Sequence, residues 1–413
     1  MNERIIIVGS GQAGCQLAVS LRELGFDGEI MLIGDEQPTP YQRPPLSKAY
    51  LLGKLDAPGL CLKPAHYFEQ KNIALRPGCR VTQIDRKRHQ VQLDCGERLG
   101  YDHLVLATGA RNRTLALPNA TLDGIAMLRT LDDANHLRDC LTRVSDVTII
   151  GAGFIGMEFA AVAAQLGRRV HVLERASRPL ARAVSVPMAE HLMARHRYSG
   201  VTFEFGAQLQ GFEGDSKGHV QAVQLADGRR IATELVLVGI GVVPNTHLAE
   251  EAGLTVADGI VVNEQLTTTD PAIHAIGDCA CYPNVLIQQQ ITRLESVQNA
   301  VDQARCLART LSGTPAVYTR TPWFWSDQWD MKLQIAGIGQ PNDEWVMRGD
   351  PEQGRFSIFR FDRGRLSAVE SLNHGADHMA ARRLIEQRCP ITPAQAQDIT
   401  VPLKSLLAAN APA

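Results

Sequence analysis

Val147-Thr-Ile-Ile-Gly-Ala-Gly-Phe-Ile-Gly-Met-Glu-Phe-Ala-Ala-Val-Ala-Ala-Gln-Leu-Gly-Arg-Arg-Val-His-Val-Leu-Glu174 is the stretch on which the reading of this chain turns. The β-branched run Val147 to Ile150 predicts a strand, a Gly-x-Gly-x-x-Gly turn follows at Gly151, Gly153 and Gly156, and an Ala-rich helix comes next until Gly167 stops it. A second strand then delivers Glu174. Gly151 suits a tight turn, Gly153 lets backbone approach a pyrophosphate, and Gly156 lets the helix pack close to the strand. The pyrophosphate would meet free N–H groups at the helix N-terminus, and an acid about 20 residues on completes a dinucleotide-binding unit.

A second copy opens the chain. Ile5-Ile-Ile-Val8 runs into Gly9-Ser-Gly11-Gln-Ala-Gly14, then a helix to about Leu24, a Phe26-Asp27-Gly28 turn, and the strand Ile30 to Ile33 ending at Asp35. Asp35 can accept both hydroxyls of an adenosine ribose. The repetition continues: Gln90 to Arg98 leads to Leu104-Val-Leu-Ala-Thr-Gly109, and Gln221 to Arg229 leads to Leu235-Val-Leu-Val-Gly-Ile-Gly241, each a hairpin signal before a buried strand ending in glycine. Far downstream, Ile273-His-Ala-Ile-Gly-Asp278 reads as a further strand closing on Gly-Asp. Its position predicts that the first nucleotide domain is discontinuous, with the second inserted into it. The expected division is a discontinuous first nucleotide-binding domain over 1–115 and 246–325, a second over 116–245, and a C-terminal α+β domain over 326–413.

Composition narrows the function class. At 413 residues, 45% apolar, the chain can build two or three globular cores, and a net charge of −2 argues against a global nucleic-acid or acidic-membrane role. No apolar run reaches the length of a transmembrane helix. The first strand begins almost at the N-terminus, where a secretion signal would have to be. Nine cysteines, odd in number and without a Cys-x-x-Cys pair, suit a reducing cytoplasm. His374 and His378 stand at helical i, i+4 spacing, but no third ligand accompanies them, and no metal is expected.

Taken with Tyr41-Gln-Arg-Pro-Pro-Leu-Ser-Lys48, Ala107-Thr-Gly109, Leu128-Arg-Thr130, Glu295-Ser-Val-Gln-Asn299 and Trp323-Phe-Trp-Ser-Asp-Gln328, these motifs make the chain resemble the flavoprotein pyridine-nucleotide reductases over nearly its whole length. The resemblance is to the ferredoxin reductases of bacterial oxygenase systems. It implies two Rossmann-like domains of glutathione-reductase type plus the C-terminal α+β domain. It also implies FAD held by Gly9, Gly11, Ala13 and Gly14, with Asp35 on the ribose, Val81 on the adenine side, Arg43 and Arg129 offsetting phosphate or flavin charge, Thr108 and Gly109 near the cofactor, and Asp278 and Val297 on the ribityl chain and ring. Gly151, Gly153, Phe154, Ile155, Gly156, Glu174 and Gly241 would bind NADH. Lys48 and Glu158 would pair near the flavin N5 edge, and Trp325 would lie near the flavin on the C-terminal side. The implied partner is a [2Fe-2S] ferredoxin. A rubredoxin is the alternative acceptor, and a redox-sensing interaction protein like apoptosis-inducing factor is the alternative role.

Without the resemblance several residues keep two readings. Lys48 and Glu158 could be a solvated cation and a surface acid, although Glu158 follows Gly156 where a nucleotide would sit. Glu174 accepts a ribose 2′-hydroxyl and repels a 2′-phosphate, while Arg175, Arg178 and Arg182 could hold that phosphate. Trp323 and Trp325 on an alternating strand point the same way and read as a core anchor. The helix beginning near Leu294, with Val297, Ala300, Val301 and Ala304 at core spacing, could aim N–H groups at a flavin or simply pack. After Trp329 short strands, the Asp362-Arg-Gly364 hairpin signal and a helix over 376–387 predict the C-terminal domain. Arg355, Arg360, Arg363, Arg365, Arg382 and Arg383 are candidates there for meeting an acidic partner.

Overall fold

The computed structural model describes residues 3–287 and 289–408, so the last residues of the expected C-terminal domain, 409–413, lie outside it. Two compact units emerge, and neither follows chain order. One comprises Met1–Gln42, Ala57–Arg111 and Val243–Pro322; the other comprises Arg43–Asp56, Asn112–Val242 and Trp323–Ala413.

In the first unit the strand Arg4–Val8, the helix Gln12–Glu23 and the strand Glu29–Ile33 form where the pattern predicts them. Ile5, Ile6 and Ile7 are completely buried, as a parallel strand covered on both faces requires. The sheet runs Ile73–Arg76, Glu29–Ile33, Arg4–Val8, His103–Leu106, Ile273–Ala275, all parallel. The late strand therefore joins the early ones. Arg4–Val8 has the second strand on one side and His103–Leu106 on the other, so strand order reverses beside its carboxyl end, where ligands of such sheets bind. The last long helix, Val297–Leu311, starts three residues after the expected Leu294 because Gln290–Arg293 is a strand and the Ser296 side chain accepts the Asn299 N–H at 3.0 Å. Its buried face is Ala300, Gln303, Ala304, Leu307 and Ala308, and Val297 and Val301 stand partly exposed beside it.

The second unit repeats the plan. Its parallel sheet runs Thr202–Phe205, Arg169–Glu174, Asp146–Ile150, Leu235–Val238, Ile125–Ala126. The helix Phe154–Gln165 is apolar all round and buried from Gly156 to Ala163, and Gly167 ends it in the left-handed region at φ 76°. The C-terminal stretch forms a five-stranded antiparallel sheet in the order Trp323–Gln328, Met331–Gly337, Arg365–Leu372, Arg355–Asp362, Glu344–Asp350, with the helix Gly375–Glu386 following it. Asp362 pairs with Arg365 across a two-residue turn in which Arg363 and Gly364 both have positive φ, the hairpin geometry that the sequence signals.

One feature of this sheet corrects a surface expectation. Arg360 is buried and bonds Glu370 Oε1 at 3.1 Å, so it belongs to the interior and not to a docking face. His374 lies just before the helix and accepts the Asp377 N–H, while His378 is buried, so the two are a cap and a core residue. Glu370 itself is fully buried and accepts the Ser185 N–H at 2.9 Å and its hydroxyl at 2.6 Å. Burial raises its carboxyl, while the Ser185 and Arg360 bonds oppose the rise. This clamp fixes the N-cap of the helix Val186–Tyr198, Ser185, eleven residues after Glu174.

Burial also depresses histidines from the ordinary 6.5, most strongly His196 and His378, to about 4, and His274, with the like charge of His103 adding to burial, to about 3. Unfolding therefore takes up protons below pH 6.5, so this part of the stability is complete above 6.5 and is lost as pH falls toward 4 and, for His274, toward 3. Thermal unfolding followed by circular dichroism should show the midpoint falling between pH 6.5 and 4. His378→Gln should flatten that dependence by up to about 1.4 kcal/mol per pH unit, and a slope equal to the parent's would refute the assignment.

Candidate functional site

The two glycine turns are built alike atom for atom. Gly9 (φ 111°) and Gly151 (φ 104°) stand where a Cβ would lie 2.1 Å from the Ala107 carbonyl oxygen and 2.4 Å from that of Gly239. Gly14 and Gly156 would place a Cβ 1.9 and 2.0 Å from the carbonyl oxygens of Gly9 and Gly151, so no side chain fits at either. Gly11 and Gly153, by contrast, face open space. They are the N-caps of Gln12–Glu23 and Phe154–Gln165, and neither helix has a side-chain cap or an acidic residue in its first turn. Each turn thus leaves helix N–H groups unclaimed by side chains and a backbone surface without a Cβ, the chemistry that takes a pyrophosphate.

Around the first turn the structure gathers most of the expected FAD residues. Gly277, at φ 77°, would place a Cβ 3.0 Å from that of Ala13, so Asp278 is delivered beside the glycine turn. The Gly277 N–H is held at 2.7 Å by Gln303 of the long helix. Thr108 donates its hydroxyl to the Asn245 carbonyl at 2.7 Å, and the Asn245 amide donates to the Thr108 carbonyl at 2.9 Å, which anchors the Ala-Thr-Gly109 corner. Asp35 is 56% exposed at the end of its strand and pairs with Arg80 at 3.1 Å. Val81 follows Arg80 but is 4% exposed in the core, so what it can offer a nucleotide is backbone.

In the second unit Glu174 leaves the sheet on the same edge as Gly151. Its two carboxylate oxygens accept the N–H groups of Ala152 (2.7 Å) and Ala176 (2.8 Å), and each retains a lone pair for a ribose hydroxyl. Arg178 donates to the carbonyls of Pro179, Ala181 and Val184, so it braces the loop; Arg175 and Arg182 are exposed. Ile155, 42% exposed, and the partly buried Phe154 offer apolar surface at the helix start. Phe154 packs against Phe324 with ring centroids 4.5 Å apart. Gly241, at φ 96°, also has open space around it.

Lys48 and Glu158 meet in this unit. The Pro44–Ser47 turn, whose prolines preset φ, ends at Lys48, which donates to Glu158 Oε1 at 2.9 Å. Glu158 is 3% exposed in the apolar helix, and Lys48 is 17% exposed. The carboxylate also accepts the Ser47 and Ser326 hydroxyls, the latter at 2.7 Å. Three bonds from two elements compensate a carboxylate at that depth. Arg43 donates to the Arg129 carbonyl at 2.7 Å, and Thr130 and Asp133 form a capping box that starts the helix Leu131–Leu141. Trp325 is partly buried with its ring 5.7 Å from that of Trp323, which stacks edge-on against His378.

Sequence reading missed Ser47, Ser326 and Glu370. A lone acid inside Phe-Ile-Gly-Met-Glu-Phe-Ala-Ala does signal a buried, paired carboxylate, but its partners come from residues 111 and 168 positions away. All nine cysteines are free. Burial pushes Cys15 up to about 12 and Cys281 up to about 11, so these thiols are poor nucleophiles.

Residues 3–304 match the family model described as pyridine nucleotide-disulphide oxidoreductase, and residues 323–407 match the reductase C-terminal model. The rhodocoxin reductase of Rhodococcus erythropolis is 48% identical over 98% of this chain and 94% of that protein. The crystal structure of the ferredoxin reductase for the CYP199A2 system from Rhodopseudomonas palustris superposes with a TM-score of 0.95 at 44% identity, covering 98% of this chain and 99% of the other. The covalent putidaredoxin reductase–putidaredoxin complex gives a TM-score of 0.95 at 40% identity, covering 99% of both chains.

The glycine geometry separates folding from binding. Gly156→Ala should lower stability by about 3 kcal/mol in a denaturant titration, because its Cβ meets backbone. Gly153→Ala should leave stability within about 0.5 kcal/mol of the parent and weaken binding of a pyridine dinucleotide about tenfold or more by fluorescence titration. Equal effects of the two substitutions on stability would contradict the assigned roles.

Proposed function

The chain belongs to the pyridine nucleotide-disulphide oxidoreductase family, and on that premise we propose that it is an FAD-dependent NADH reductase that passes electrons to a [2Fe-2S] ferredoxin serving an oxygenase. FAD, when bound, takes a hydride from the nicotinamide and gives up electrons singly, which couples a two-electron donor to a one-electron acceptor. The observation that carries the reading is the pairing of two open glycine turns with the absence of any reactive cysteine pair: the chain offers two dinucleotide cradles but no dithiol to receive the electrons. An external acceptor follows.

In this reading Gly9, Gly11, Ala13 and Gly14 hold the FAD pyrophosphate, Asp35 the ribose, and backbone at Val81 the adenine side. Thr108, Gly109, Asp278 and Val297 line the ribityl and ring portion, and Arg43 and Arg129 offset negative charge. Gly151, Gly153, Phe154, Ile155, Gly156 and Gly241 receive NADH, and Glu174 selects it over NADPH by accepting the 2′-hydroxyl. Lys48, held in place by Glu158, favours the reduced flavin through its positive charge. Trp325 lies toward the acceptor, and the exposed Arg355, Arg363, Arg365 and Arg383 supply positive charge for an acidic ferredoxin. We take residues 116–245 as the NAD-binding domain within an FAD-binding domain of 1–115 and 246–325, and 326–413 as the interface domain. The rhodocoxin reductase relative and the putidaredoxin complex, each named for a redoxin acceptor and matched over 98 to 99% of this chain, favour a redoxin over an interaction-only role. No helix among the described residues is long and apolar enough to cross a membrane, and nine free cysteines fit the cytoplasm.

NADH-driven reduction of cytochrome c should be slow with the reductase alone and accelerate strongly when a [2Fe-2S] ferredoxin is added. Fast turnover without ferredoxin, or purified protein devoid of FAD, would sink the proposal; turnover restored only by a rubredoxin would transfer it to that acceptor. Lys48→Ala should slow flavin reduction in stopped flow about tenfold or more while FAD content stays intact. A rate equal to the parent's would remove Lys48 from the mechanism.

A further inference from the structure

The strand Trp323–Gln328 lies along the helix Phe154–Gln165 with matched spacing: Phe324 meets Phe154, and Ser326, two residues on, meets Glu158, four residues on. Two residues of strand and four of helix both advance about 6 to 7 Å, so alternate strand side chains fall on successive helical turns. The next residue on that face is Gln328, whose amide Nε2 donates to Ser326 Oγ at 3.1 Å and whose Oε1 lies 3.0 Å from His196 Nε2. Ser326, Gln328 and His196 are all buried.

Chemistry fixes the direction of every proton in this chain. A carboxylate can only accept, so Ser326 spends its single proton on Glu158. Ser326 must then accept from Gln328, which turns the amide nitrogen toward it and the amide oxygen toward His196. His196 must therefore carry its proton on Nε2. Its Nδ1 finds no partner among the described residues, as an unprotonated lone pair tolerates and a second N–H would not. Phe203 and Trp329 pack edge-on against the imidazole, and Trp329 occupies a left-handed turn at φ 59° that Arg195 covers at 4.8 Å.

We propose that His196, Gln328 and Ser326 form a hydrogen-bond relay of single polarity, every donor directed toward Glu158, and that they are positioning residues for the Lys48–Glu158 pair. The relay stabilises the anion and holds the carboxylate where Lys48 meets it. Lys48, Ser47 and Ser326 are the polar side chains bonded to the carboxylate, and Gln328 and His196 extend it by two further links.

The inference rests on the role given above to the pair, and its test separates the two. In FAD-loaded protein labelled with 15N-histidine, His196 should show the Nε2–H tautomer near neutral pH; an Nδ1–H signature overturns the relay whatever the variants do. Ser326→Ala should slow flavin reduction by NADH about tenfold with NADH affinity unchanged, and Ser326→Thr, which keeps the hydroxyl, should restore the rate. Equal losses in both variants, or a change confined to NADH affinity, count against it. The Nε2–H tautomer in a protein whose Lys48→Ala variant reduces flavin at the parent rate would uphold the donor chain and overturn the role of the pair in flavin reduction.

Discussion

A carbonyl oxygen about 2 Å from where a Cβ would stand is the constraint on which this chain is built, and it occurs at Gly14 and again at Gly156. Because no side chain fits there, each helix closes directly onto its strand and its first N–H groups sit at the carboxyl edge of a parallel sheet. The neighbouring Gly9 and Gly151 close on the strands ending at Leu106 and Val238, while Gly11 and Gly153 stay open. Close packing and open backbone surface thereby fall to different glycines within one turn, in both units.

The second unit adds a charge to this plan. Glu158 is carried into an apolar interior by its own helix, and the cost of that burial is met by Lys48 and Ser47 from a proline-set turn and by Ser326 from the C-terminal sheet. The same sheet reaches the nucleotide half a second time, through Glu370 at the start of Val186–Tyr198. The C-terminal strands thus support the site from within the unit, through one carboxylate donated to them and one that they donate.

Much of this was legible in the chain. The two Gly-x-Gly-x-x-Gly turns, the buried strands feeding them, Gly167 as a helix stop and the Asp362-Arg-Gly364 hairpin all rest on local rules, backbone sterics and short-range periodicity, and they form within a residue or two of where those rules place them. The helix start at Val297 moved because a capping serine outweighed apolar spacing. Arg360 misled because an arginine on an alternating strand reads as solvated until an opposing Glu370 is known.

The sequence by itself determined the paired nucleotide folds, since each depends on residues within about 30 positions of one another whose φ angles and close approaches only glycine allows. Tertiary structure alone decided what surrounds Glu158. Lys48, Ser326 and His196 are brought together across the chain by sheet packing, and a single buried acid announces that it has partners without saying which. Hydrogen-bond polarity, set by what a carboxylate can accept, then orders those partners, and it exists only once they are in contact.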